Sequence, residues 1–289
     1  MLIQVIAVEY LRYLQFDRNF KDMAKRRKRI GQLVMFWLDR DIGNLTYDDL
    51  TEFKKSMLDR QCKPSYINTF IFMIRSLFRF ANERGIKTID PKSIKPYTVP
   101  KKHIVYLGKE QIIDLLKYFG GEHLHNTRNK ALTAILIDTG MRIGECLSLN
   151  RAQYDEIMAG ETVITGKFSK QRPVFFTWSR PFLKSYMEQR TDDHEALFIT
   201  HCHDYRWRIK RLHQDGYRKY LREANRDLDF YISPHTLRKT AINNWKANGM
   251  DVKAISLIAG HDSVMTTEKY YLGIDWKWLK KQHVQYGFI

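Results

Sequence analysis

Apolar residues recur with helical spacing along almost the whole chain, and with strand alternation in one place. Between Pro64 and Gly85, the residues Ile67, Phe70, Ile71, Ile74, Leu77, Phe78 and Ala81 share one face of a helix opened by proline and closed by glycine. Met23, Ile30, Val34 and Trp37 form a second stripe, predicting a helix over about 20–39. The segment from Met1 to Leu14 is apolar on nearly every face, and Thr46-Tyr47-Asp48-Asp49 has the form of a helix N-cap with an acid near N3. The first hundred residues should therefore be four or five helices. Further on, helical periods run over about 108–119, 127–138, 142–149, 180–190, 205–226, 235–248 and 251–259. Gly140 interrupts the second and third of these, and Gly249 and Gly260 stand where glycines end helices. Residues 161–176 instead alternate about a Gly166-Lys167-Phe168-Ser169-Lys170 centre, which predicts a β-hairpin. The expected fold is mainly α with a small antiparallel β-sheet.

Proline and charge divide this pattern. Pro91, Pro96 and Pro100 fall within ten residues, interleaved and followed by Lys92, Lys95, Lys101 and Lys102, so an extended basic linker is expected there. It separates a helical domain at 1–95 from a mixed domain at 103–289, with 96–102 between them. Forty-nine Lys and Arg against thirty-two Asp and Glu leave a net charge of +17 over 289 residues. Residues 1–102 carry 21 basic and 11 acidic side chains and the remainder 28 and 21, so both parts are basic. Such a surplus repels itself unless a polyanion answers it, which points to nucleic acid or an anionic membrane surface. No apolar run approaches the roughly 18 residues of a spanning helix. The start carries Glu9 and Arg12 without a basic leader or a small-residue cleavage site, so a cytoplasmic protein without membrane partners is expected. Cys62, Cys146 and Cys202 are too scattered for a disulfide framework, and His201-Cys202-His203 with His194 makes a poor zinc set. Neither metal nor cofactor is expected. The run Lys25-Arg26-Arg27-Lys28-Arg29 reads as a solvated or phosphate-contacting helix face on which Arg26 or Arg27 borders the apolar stripe.

The chemistry-bearing residues lie in the second domain. Thr139-Gly140-Met141-Arg142-Ile143-Gly144-Glu145 sets an arginine just after a helix break, with Glu145 one turn on to orient it. The hairpin tip presents Lys167. Ser233-Pro234-His235-Thr236-Leu237-Arg238 places an imidazole and a guanidinium on one helix face, at an N-terminus whose free N–H groups favour an anion. Gly260-His261 begins the turn after the next helix, and Thr266-Thr267-Glu268-Lys269-Tyr270 ends nine residues after His261. Singly, each has a bland explanation as a satisfied hydrogen-bonder, a packed ring or a surface ion pair.

In this order and spacing the set closely resembles the tyrosine recombinase family, the Xer and phage-integrase type of site-specific DNA recombinase. The resemblance covers about 103–289 and implies a tyrosine-recombinase catalytic domain, with 1–95 resembling the core-binding domain that grips DNA. It implies catalytic roles for Arg142, Lys167, His235, Arg238 and His261, with Tyr270 as nucleophile. Lys170 is a second assignment for the lysine, and Tyr271 stands beside the proposed nucleophile. The residue types suit phosphodiester chemistry. Two guanidiniums clamp the non-bridging oxygens and His261 adds a hydrogen bond. His235 is the candidate acceptor of the tyrosine proton, and Lys167 the candidate acid for the leaving 5′ oxygen. The family implies a covalent 3′-phosphotyrosine, formed without metal or ATP by a homo-tetramer on two double-stranded DNA sites, with an accessory protein left open. Lys25, Arg26, Arg27, Lys28, Arg29, Lys101, Lys102, Lys170 and Arg172 are the expected DNA contacts. The apolar tail 273–289 is expected to dock on a neighbouring protomer, or else to pack on its own domain. A type IB topoisomerase-like or telomere-resolving strand transferase, or a non-catalytic DNA-binding relative, is the competing reading.

Overall fold

The computed structural model describes residues 1–18, 23–100, 105–166, 171–200, 209–260 and 276–287. The chain forms two compact units, Met1–Lys102 and His103–Ile289. It is mainly helical with one small antiparallel sheet, as the periodicity requires.

The first unit contains α1 (Ile3–Phe16), α2 (Met23–Phe36), α3 (Tyr47–Asp59) and α4 (Pro64–Asn82). Helix α4 supplies the core, with Ile67, Phe70, Ile71, Ile74, Leu77, Phe78 and Ala81 all buried. Each such large side chain contributes roughly 1.5–3 kcal/mol by leaving water, so this stripe is a major contribution to the unit's stability. Trp37 and Phe70 both pack on Phe53 of α3, with ring centroids 5.3 and 5.7 Å away. The hydroxyl of Thr46 caps α3 by accepting from the Asp49 N–H, while the Asp49 carboxylate accepts from the Thr46 N–H at 2.7 Å. On α2 the buried residues are Ile30 and Leu33; Met23 and Val34 are partly covered. The Pro91–Tyr97 stretch is laid along α4. Ile94 is buried, Tyr97 exchanges two hydrogen bonds with Asn68, and Arg75 donates to the Pro91 carbonyl.

The second unit is organised about α6 (Leu124–Thr139), in which every residue from Ala131 to Thr139 is buried. A helix buried on every side lies at the centre of a domain, and α6 packs against α9 (Arg180–Glu188) and α11 (Pro234–Ala247). Around it stand α5 (Lys109–Tyr118), α7 (Ile143–Leu147), α8 (Tyr154–Ala159), α10 (Gln214–Asp227), α12 (Val252–Ala259) and α13 (Trp276–Tyr286). Strands β1 (Glu161–Thr165) and β2 (Gln171–Phe175) pair from Glu161 opposite Phe175 to Thr165 opposite Gln171. Helix α10 begins at Gln214, later than its periodicity suggests. The backbone before it is extended, pairing Leu212 with Phe198 and Lys210 with Thr200.

Candidate active site

The end of α12 gathers the charged side chains. The last carbonyls of a helix have no donors within it and carry its negative partial charge. Here three consecutive carbonyls are taken by arginines from three other elements. Arg172 of β2 donates through Nη1 to the Ile258 oxygen at 2.6 Å, and Arg238 of α11 through Nη2 to that of Ala259 at 2.6 Å. Arg142, at the N-cap of α7, donates through Nη2 to the Gly260 oxygen at 2.7 Å. Gly260 closes α12 with φ of +62°, and a Cβ there would stand 2.6 Å from Nε of Arg172. Both the left-handed backbone and the close approach require glycine.

A second connection runs through Glu145 on α7. Its carboxylate accepts from the Arg142 N–H at 2.9 Å, from Arg142 Nη1 at 3.0 Å and from Arg172 Nη2 at 2.7 Å. Burial by itself would raise this carboxyl's pKa. The Arg172 charge and the Arg142 bonds outweigh that effect and hold it below the ordinary carboxylate range. Arg238 closes the arrangement by donating through Nη1 to the Gly140 oxygen at 2.6 Å. Gly140 caps α6 with φ of +61°, pressed so close to Trp245 that a Cβ would lie 2.7 Å from the indole. Arg238 is 5 % exposed, whereas the Arg142 side chain is 33 % exposed. Arg142 is thus the guanidinium more open to a ligand.

His235 lies exposed in the first turn of α11, one turn ahead of Arg238. Pro234 at N1 and the Ser233 cap, whose hydroxyl accepts from the Thr236 N–H at 3.1 Å, fix that turn. Partial burial, with the charges of Lys239 and Arg238, pushes the imidazole below its ordinary pKa.

Arg142, Glu145, His235 and Arg238 accordingly sit on one framework. Lys167, Lys170, His261, Tyr270 with its neighbour Tyr271, Lys101, Lys102 and the His201-Cys202-His203 group lie outside the described residues. Arg172, expected from the sequence to contact DNA, is held inside its unit. It is 5 % exposed and paired with Glu145, so it stands beneath the site and not on an outer face. Strand parity carried the signal, since Arg172 lies on the same face as the fully buried Val174. Among the described residues no group of three or more His, Cys, Asp or Glu is placed to hold a metal ion, and no helix is long and apolar enough to cross a membrane.

In the first unit the basic run fans around α2. Lys25, Arg27 and Lys28 are exposed, while Arg26 and Arg29 are partly covered. Lys25, Arg26 and Arg29 line a cleft of about 380 Å³ against Thr69, Phe72, Met73 and Ser76 of α4. Helix α13 packs on its own unit through the buried Leu279 and His283, and Lys280 pairs with Glu161 at 3.2 Å.

The sequence pattern of the phage integrase family matches residues 106–275, more than half of the chain. The chain belongs to the phage integrase family. The tyrosine recombinase XerC of Treponema denticola is 25% identical over 271 residues, covering 89% of this chain and 88% of its own. Two solved structures share the fold. One is the Tn1549 transposon integrase in complex with circular intermediate DNA, with TM-score 0.71, 16% identity, and 98% and 99% of the two chains covered. The other is the lambda integrase tetramer bound to a Holliday junction, with TM-score 0.71, 14% identity, and 91% and 78% covered. The protein is a tyrosine recombinase, an enzyme of site-specific recombination that cleaves and rejoins DNA.

Proposed function

We propose that this recombinase exchanges strands through a covalent 3′-phosphotyrosine on Tyr270, without metal or nucleotide, as a tetramer on two double-stranded DNA sites. The observation that carries the reading is the seating of Arg142 and Arg238 on adjacent carbonyls, Gly260 and Ala259, immediately before His261 in the chain. Two guanidiniums fixed before DNA arrives need no rearrangement to meet charge developing on the non-bridging phosphate oxygens. The Tyr270 oxygen attacks phosphorus as its proton passes to His235. The bond from phosphorus to the 5′ oxygen breaks, and Lys167 protonates that leaving oxygen. His261 donates to the phosphate. Attack by the 5′ hydroxyl of another strand reverses each transfer, so the phosphotyrosine conserves the energy of the original ester. The cleft beside Lys25, Arg26 and Arg29 suits phosphate backbone contact by the first unit, with Arg27 and Lys28 on the flanking exposed faces. In the tetramer the C-terminal helix leaves its seat on its own unit for that of a neighbour. The test is a nicked suicide substrate. Tyr270→Phe binds it but forms no adduct, whereas Tyr271→Phe still does; the opposite result moves the nucleophile to Tyr271.

A further inference from the structure

His283 is the one histidine among the described residues that is wholly buried, and the strand-transfer chemistry leaves it without a part. It lies on α13. Its Nε2–H donates to the Asp138 carbonyl at 3.0 Å, which leaves Nδ1 as a bare acceptor, buried and without a partner. The ring packs edge-on to Trp245, 5.3 Å between centroids, and tilted against Phe175 at 5.7 Å. Two of these contacts, Asp138 and Trp245, lead to the active site. The Asp138 carbonyl belongs to the last turn of α6, two residues before Gly140 and four before Arg142. Trp245 is the surface on which Gly140 rests, and the Gly140 oxygen holds Arg238.

We propose that His283 is a positioning residue: by bonding the end of α6 and bracing Trp245, it fixes the Gly140 turn and thereby the guanidiniums of Arg238 and Arg142. The seat admits a neutral ring. Of the elements packed around it, α6 presents the Asp138 carboxylate, itself bonded by Thr177 and Ser179. Helix α11 presents Trp245, β2 presents Phe175, and α12 adds the apolar Ile255 and Ile258 to the same cluster. On α13 itself, Lys280 is engaged with Glu161 and Lys281 is exposed. Burial disfavours the imidazolium more than Asp138 favours it, so docking weakens as pH falls below the ordinary imidazole value of 6.5.

The consequence for DNA cleavage rests on the function proposed above; the coupling to the Gly140 turn is measurable without DNA. His283→Met removes the donor but fills the seat, and His283→Gln retains a donor near the Nε2 position without titrating. Hydrogen exchange of the full chain is expected to show residues 139–142 about tenfold less protected in His283→Met, and within about threefold of wild type in His283→Gln. Wild-type protection at these residues falls below pH 6.5, and that of His283→Gln does not. On the nicked substrate His283→Met forms adduct about tenfold more slowly at unchanged single-site affinity, and His283→Gln restores the rate. Wild-type protection or wild-type adduct formation in His283→Met overturns the proposal. If the exchange differences appear but the wild-type protein forms no adduct, the proposed function fails and the positioning role stands.

Discussion

Replacing Arg172 by methionine separates a residue that supports the site from one that grips DNA. The change keeps side-chain length and removes the charge from a position 5 % exposed. Glu145, 9 % exposed, then loses its bond at 2.7 Å, and the Ile258 carbonyl loses its bond at 2.6 Å. Removing one member of a buried ion pair costs about 3–5 kcal/mol, and orphaning a buried carbonyl about 1–3 kcal/mol. Glu145 keeps both bonds from Arg142, which is partly exposed, and the methionine refills the space. A net loss of about 3 kcal/mol is therefore expected, lowering Tm by roughly 6–12 °C for a unit of this size. Thermal unfolding at neutral pH reads it. The folded-state pKa of Glu145 is depressed, so its stabilising contribution is present above the ordinary value of 4.5 and lost as pH falls through the folded value. The wild-type advantage over Arg172→Met should therefore shrink as pH drops below 4.5. Adding Glu145→Gln removes the orphaned charge and should recover part of the loss. A Tm unchanged by Arg172→Met, with DNA binding weakened and its salt slope reduced by about one, would refute the buried-pair account and return Arg172 to the DNA surface.

Cleavage and joining should proceed in excess EDTA without nucleotide; loss on chelation, restored by a divalent ion, would overturn the arginine-centred mechanism. Arg142→Ala should slow adduct formation by about 100-fold or more while single-site affinity changes little, because binding is spread over many basic contacts. Equal losses in rate and affinity would make Arg142 an ordinary phosphate anchor. Gly140→Ala forces a side chain onto a left-handed residue and into Trp245, so about 2 kcal/mol of stability should be lost, measured by denaturant unfolding. Thr46→Ala should cost about 1 kcal/mol through the lost cap of α3, seen as a lower Tm with unchanged adduct formation.

Side-chain periodicity made α4, α11 and the hairpin legible, because each buries one face and so writes its pattern into the sequence. Helix α8 was not anticipated. Six residues with only Ile157 fully buried carry too little period to stand out. The late start of α10 was hidden because its determinants are backbone pairs between 198–200 and 210–212, which any side chains can accompany. At the candidate site, residue type and spacing single out Arg142, Glu145, His235 and Arg238 in the sequence. The support of the arginines is not legible there, since the carbonyls of Ile258, Ala259 and Gly260 have no signature in residue identity. At Arg172 two signals in the sequence point opposite ways. Its charge suggested an exterior position, while alternation with Val174 placed it inside.

Consecutive carbonyls at the end of α12 each serve a different arginine, so the helix works as a ruler as well as a counter-charge. Successive residues in a helix advance by 1.5 Å and turn by about 100°. Deleting or inserting one residue within Val252–Ala259 would present each guanidinium with a carbonyl displaced in height and swung to another side. All three would lose register together, although no charged residue had been altered. Length variation in this family member should thus be far less acceptable inside α12 than at Asn248–Met250 before it. A one-residue deletion scan across 246–260, scored by recombination, would show this as an abrupt boundary at the Asp251 cap.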